Sequence, residues 1–144
     1  MGMREIKISG LKMRWFIYAV LFGMAPIFLR LLVGSLTQGE KAISLLAPSD
    51  FIAFGIVLQV SIFNEIKYHD LDDAEWKHSM MGFSALLMLI YSGLYVLLLM
   101  SEIVDSVNVK AILNSSLIFS LISLLLCWVS YDRMSKSSEF GSRE

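Results

Sequence analysis

The chain has 144 residues, of which 56% are hydrophobic and 17% charged, with a formal net charge of −1 and a mean hydropathy of +0.67. That is more apolar surface than a water-soluble domain of this length keeps from solvent, so the composition excludes a soluble globular protein. The single cysteine, Cys127, excludes an internal disulfide, a CxxC pair and a cysteine metal site.

The apolar residues are blocked into runs over 15–36, 51–63 with an extension to about 68, 79–100 and 112–129. A spanning helix needs about 20 residues at ~1.5 Å each to cross ~30 Å of hydrocarbon. The runs therefore predict an all-α, integral membrane four-helix bundle, one domain over residues 1–138, with spans over about 14–36, 49–68, 78–100 and 110–131. The first run is too long, and its flanks too unlike a small-residue cleavage site, for a signal peptide, so it is expected to stay in the mature protein. The closing "EFGSRE" resembles residues encoded by cloning sites, and 139–144 are set aside from functional reasoning.

Orientation follows from the cations. Arg4, Lys7, Lys12, Arg14, Lys67, Lys77, Arg133, Lys136 and Arg143 lie on one side, against Lys41 and Lys110 on the other. Cations near span ends are retained in the cytoplasm, which predicts both termini inside and a multi-pass protein of the cell inner (plasma) membrane. Residues 37–48 and 101–109 become outer loops, and 64–78 the cytoplasmic connection.

The first span carries a guanidinium in "PIFLRLLVG" (26–34). Arg30 falls about six residues short of the outer end, ~9 Å deep at ~1.5 Å per residue, where snorkelling to headgroups is one outcome. Its neighbours favour another. Ala19, Gly23, Pro26, Arg30 and Gly34 recur at spacings of 4, 3, 4 and 4, a stripe of small residues of the kind by which membrane helices approach one another. Pro26 removes one backbone hydrogen bond from that stripe. A protein-facing arginine needs partners, and the expected ones are Asp50, Glu102, Gln59 and Asn114, in that order, forming a polar cluster in the outer third of the bundle. The second span opens on "PSD", with Ser49 as expected N-cap and Asp50 at the favourable end of the helix dipole. Gly55 and Gln59 share one of its faces.

The fourth span has the most regular pattern. Ser116, Ser120, Ser123, Cys127 and Ser130 recur at 4, 3, 4 and 3, which predicts a helix-packing seam in preference to a hydroxyl-lined aqueous path. Gly82 and Gly93 of the third span are expected to receive it. More than one demanding face per helix suggests further copies of the chain in closed symmetry, and a homo-oligomer, dimer or tetramer, is expected.

The cytoplasmic connection holds "NEIKYHDLDDAEWKH" (64–78). Its His69 and His78 among Asp70, Asp72, Asp73 and Glu75 match no recognised ligand spacing, so no metal or other cofactor is expected. The preferred reading is helix-end chemistry: Asp72 or Asp73 caps the third span, Glu75 sits in its first turn and Trp76 anchors the interface. Glu65 at the inner end of the second span needs a cation such as Lys12, Arg14 or Arg133. Glu65, Lys67, His69, Asp70, Asp72, Asp73, Glu75 and Lys77 then form a face for a soluble cytoplasmic partner.

Nothing in the chain suggests catalysis. It has no glycine-rich phosphate loop, nucleophile elbow or intramembrane histidine, and no connection exceeds about 15 residues, so no enzymatic activity is expected. Two classes remain: an oligomeric membrane scaffold or sensor with a soluble partner, or a small ion channel or transporter built from an oligomer around Arg30, Gln59 and the serine seam. The stretch "SDFIAFGIVLQVSIFNEIKYH" followed closely by "EWK" and another span resembles the four-helix membrane subunits of prokaryotic antiphage defence systems, the KwaA family of Kiwa among them. The resemblance covers the second and third helices. It implies a membrane-embedded sensor whose soluble partner binds nucleic acid, the membrane protein itself making no direct contact with nucleic acid.

Overall fold

A computed structural model describes residues 2–37, 44–68 and 73–140, with side chains placed over 16–37, 44–68 and 73–134 and at Lys136. The described chain is four helices in sequence: α1 (Gly2–Leu36), α2 (Pro48–Tyr68), α3 (Ala74–Met100) and α4 (Val109–Phe140). Each is long and apolar enough to cross a membrane, over Phe16–Leu36, Pro48–Tyr68, Ala74–Met100 and Val109–Met134. By length and composition they suit a multi-pass membrane protein, since helices with all their backbone hydrogen bonds internal are one of the two structures that tolerate hydrocarbon.

Local chemistry sets the helix starts. α2 begins at Pro48, with the Asp50 N–H donating to Ala47 O at 3.2 Å. The expected N-cap at Ser49 is therefore displaced: Pro48 occupies the first turn, where its missing N–H has no intrahelical partner to lose. Asp73 caps α3, accepting from the Trp76 N–H at 3.1 Å, with Glu75 in the first turn. Asp72, the other expected cap, lies outside the described residues. α4 starts after Asn108, whose Oδ1 accepts from the Ala111 N–H at 3.1 Å. It continues through the first two residues of 139–144.

The four helices do not form a symmetric square. α2 is central and packs against α1, α3 and α4, whereas among the described residues no close backbone approach joins α1 to α3. Ile52, Gly55, Gln59, Ile62 and Ile66, at spacings of 3, 4, 3 and 4, are all buried. On the α1 and α4 side, Leu58, Ile62 and Ile66 join Ile27, Cys127, Tyr131 and Met134 in one apolar cluster. On the α3 side, Ile52 packs with Leu87 and Tyr91. The small-residue stripe of α1 faces this interior. Ala19 and Gly23 are buried, and a β-carbon at Gly23 would stand 2.7 Å from the Phe54 ring.

Candidate functional site

Arg30 is paired with Asp50. Arg30 Nε donates to Asp50 Oδ2, and Nη2 to Oδ1 at 3.4 Å. The side chains are 28% and 10% exposed, so the carboxylate is enclosed by protein and the guanidinium only in part. Asp50 also accepts from Ser49 Oγ at 3.5 Å. The two-pronged contact uses the planar fork that only arginine has.

The rest of the expected cluster does not assemble around Arg30. Glu102 lies exposed in the turn after α3, and among the described residues Arg30 pairs with Asp50 alone. Asn114 is exposed on α4. Gln59 is fully buried, but it follows Asp50 by nine residues of α2, ~13 Å along the axis. Neither its Oε1 nor its Nε2 has a hydrogen-bond partner.

The α4 seam is buried along its whole length: Ser116, Ser120, Ser123, Cys127 and Ser130 are each at most 3% exposed. Ser116 and Ser120 donate to their own helix, at Leu113 O (2.9 Å) and Leu117 O (2.8 Å). Ser123 Oγ lies 2.7 Å from the Tyr91 hydroxyl, and Ser130 Oγ has no partner. What receives the seam is not Gly82 or Gly93. Both are exposed, and a β-carbon at either would meet nothing within 4 Å. α3 turns Ser84, Leu87 and Tyr91 inward, and positions two residues from Ser84 and Tyr91 point about 200° away around the helix. The seam meets α2 and the Tyr91 side chain instead. Gly55 makes this possible, since a β-carbon there would overlap the Tyr91 ring.

Tyr91 and Ser84 are the interior groups that the sequence reading passed over. Ser84 Oγ donates to the Gln59 backbone carbonyl at 2.9 Å, tying α3 to α2. The 3, 4 spacing of Ser84, Leu87 and Tyr91 was the available signal, hidden because the surrounding run is apolar on every side.

The end of the bundle that holds the α2–α3 connection is more open. Arg133 Nη2 donates to Asp73 Oδ2 at 2.7 Å, with side chains 50% and 52% exposed, and its guanidinium lies 4.8 Å from the Trp76 ring centroid. Arg133, one of the cations expected at Glu65, thus serves the α3 cap instead; the Lys12 and Arg14 side chains lie outside those described. Lys77 Nζ donates to Lys67 O at 3.3 Å. Lys136 Nζ lies 2.9 Å from Asp132, a contact that raises its pKa above the ordinary lysine value, the hydrogen bond being the larger cause. Of the expected partner face, Lys67, Asp73 and Glu75 are exposed, Glu65 and Lys77 are partly covered, and His69, Asp70 and Asp72 lie outside the described residues. Among the described residues no group of three His, Cys, Asp or Glu side chains is placed to hold a metal ion. No protein-family model, curated protein or solved structure matches the chain.

Proposed function

We propose that the protein is a scaffold or sensor of the inner (plasma) membrane that works as a homo-oligomer and docks a soluble cytoplasmic partner. One observation carries this reading: the unequal ends of the bundle. Four spans put both described ends of the chain on the same side, where α1 begins at Gly2 and carries Arg4, Lys7, Lys12 and Arg14 ahead of the apolar run that opens at Trp15, and α4 runs on to Phe140 past Asp132, Arg133 and Lys136. The opposite side holds only the connections 37–47 and 101–108. The cations of the elaborated side support its placement in the cytoplasm.

The seam's geometry favours this reading over an oligomeric channel. Its hydroxyls are packed against α2 and Tyr91 within one protomer, not presented to a path between subunits. Self-association is better served by α3, whose Gly82 and Gly93 stand open to the outside, the residue type that lets membrane helices approach closely. The likeness of α2 and α3 to antiphage membrane subunits makes a nucleic-acid-binding protein the first partner class to test.

The test is affinity purification from native membranes. One soluble protein should accompany the wild type and be lost from a variant lacking residues 2–12 or carrying Lys67→Glu with Glu75→Lys. Ion conduction by reconstituted liposomes, with no such protein captured, would sink the proposal. Orientation is checked separately: with Cys127→Ser as background, a cysteine placed at position 110 should react with impermeant reagent from outside intact cells, and reaction only after lysis would reverse the topology.

A further inference from the structure

We infer that the α2–α4 seam holds an internal water site centred on the side-chain amide of Gln59. The side chain is fully buried, and its carbonyl and its NH2 both lack a protein partner. An amide in this state carries two donors and an acceptor out of water with nothing to meet them, which costs roughly 1–3 kcal/mol for each unsatisfied group.

Neighbours on its stripe show where the amide points. Gly55, one turn before it, touches the Tyr91 ring, and the Tyr91 hydroxyl meets Ser123. Ile62 and Ile66, one and two turns after it, share an apolar cluster with Cys127 and Tyr131. Gln59 therefore faces α4 between Ser123 and Cys127. Helical side chains cant toward the N-terminus of their own helix, which leans the amide back toward the Tyr91–Ser123 pair. A second orphan stands on the same seam: Ser130 Oγ is buried and unpartnered, one heptad beyond Ser123. Ser116 and Ser120, by contrast, are satisfied by their own helix.

The pattern of orphans selects the ligand. A cation would satisfy Oε1 and repel the NH2 group; an anion would do the reverse. Water donates and accepts, is neutral, and is the smallest occupant that meets an unpartnered donor and an unpartnered acceptor at once. Among the described residues of α2, no charged side chain lies within a turn of Gln59. On α2 itself Asp50 is committed to Arg30, and Glu65 lies six residues further on, ~9 Å along the axis. The site is independent of the docking role proposed above.

The chain contains two glutamines, Gln38 and Gln59. Protein labelled at glutamine and isoleucine and carrying Gln38→Asn, in lipid bilayers, leaves one labelled side-chain NH2 resonance for water-edited solid-state NMR; in the unaltered chain it is the resonance missing from Gln59→Leu. That NH2 should draw magnetisation from water several-fold faster than the backbone amides of Ile52, Ile62 and Ile66, with no shift when sodium, potassium and lithium are exchanged. A build-up as slow as that of the buried isoleucines would overturn the inference in favour of a direct protein partner. A shift that follows the cation would overturn it in favour of an ion site.

Discussion

α2 and α3 are both apolar spans, yet they occupy opposite situations. In its most apolar stretch α2 is 44% buried and α3 only 17%. α3 is the more hydrophobic of the two, with mean hydropathy 2.2 against 1.4. In water the greasier helix would be the buried one. In a membrane lipid is as apolar as leucine, so the polar and small residues go inside and the leucines go outside. Asp50, Gly55 and Gln59 make α2 the hub, while Phe83, Leu86, Leu89 and Val96 of α3 are exposed.

The largest expected effect tests α2's role as hub through its partner on α1. Arg30→Leu leaves the Asp50 carboxylate without its two-pronged contact. Breaking a fully buried pair costs about 3–5 kcal/mol; the 28% exposure of the arginine reduces this to roughly 2 kcal/mol, since part of the charge is already solvated. Arg30→Lys should recover only part of that, because an ammonium cannot span both carboxylate oxygens. Thermal unfolding in detergent gives the order wild type, Lys, Leu. An Arg30→Leu protein as stable as wild type would make the pair an incidental contact at the rim.

Much of this arrangement could be read from residue spacing. Arg30 and Asp50 are close in depth once two spans run in opposite directions, and a small-residue stripe gave the arginine an inward face. The serine seam is legible for the same reason: 4, 3, 4, 3 spacing is one side of a helix whatever lies against it. What spacing does not contain is the identity of the opposing helix. Gly82 and Gly93, eleven residues apart, share a face as well as any pair in the chain, but the face is outward. Tyr91 shows the converse: nothing in "LLMLIYSGLYVLLL" sets it apart, and only the absence of a side chain at Gly55, on another helix, gives its ring a place.

A substitution matched on the two helices sharpens the contrast further. Gly55→Ala puts a methyl group into the Tyr91 ring. Tyr91 must then move off α2 and away from Ser123, and overpacking of this kind typically costs 1–3 kcal/mol. The expected result is a lower unfolding temperature. Tyr91→Leu in the Gly55→Ala background should recover part of the loss, because the overlapping ring is gone. Loss of stability that Tyr91→Leu leaves unchanged would place the clash elsewhere.

The smallest effect, and one of opposite sign, is expected at Gly93. Its helix position has open space where the β-carbon would go, so Gly93→Ala removes only the conformational freedom of glycine and should stabilise the protomer by roughly 0.5–1 kcal/mol. If α3 also carries the contact between copies, a larger side chain separates the two questions. Gly93→Leu would still fold as a protomer, since nothing within it approaches that point, but would hold a second helix away. Crosslinking in native membranes should then show fewer oligomers for Gly93→Leu and unfolding no easier than wild type. An unchanged crosslinking pattern would leave α3 facing lipid alone, whereas destabilised protomers would mean that Gly93 packs against the bundle.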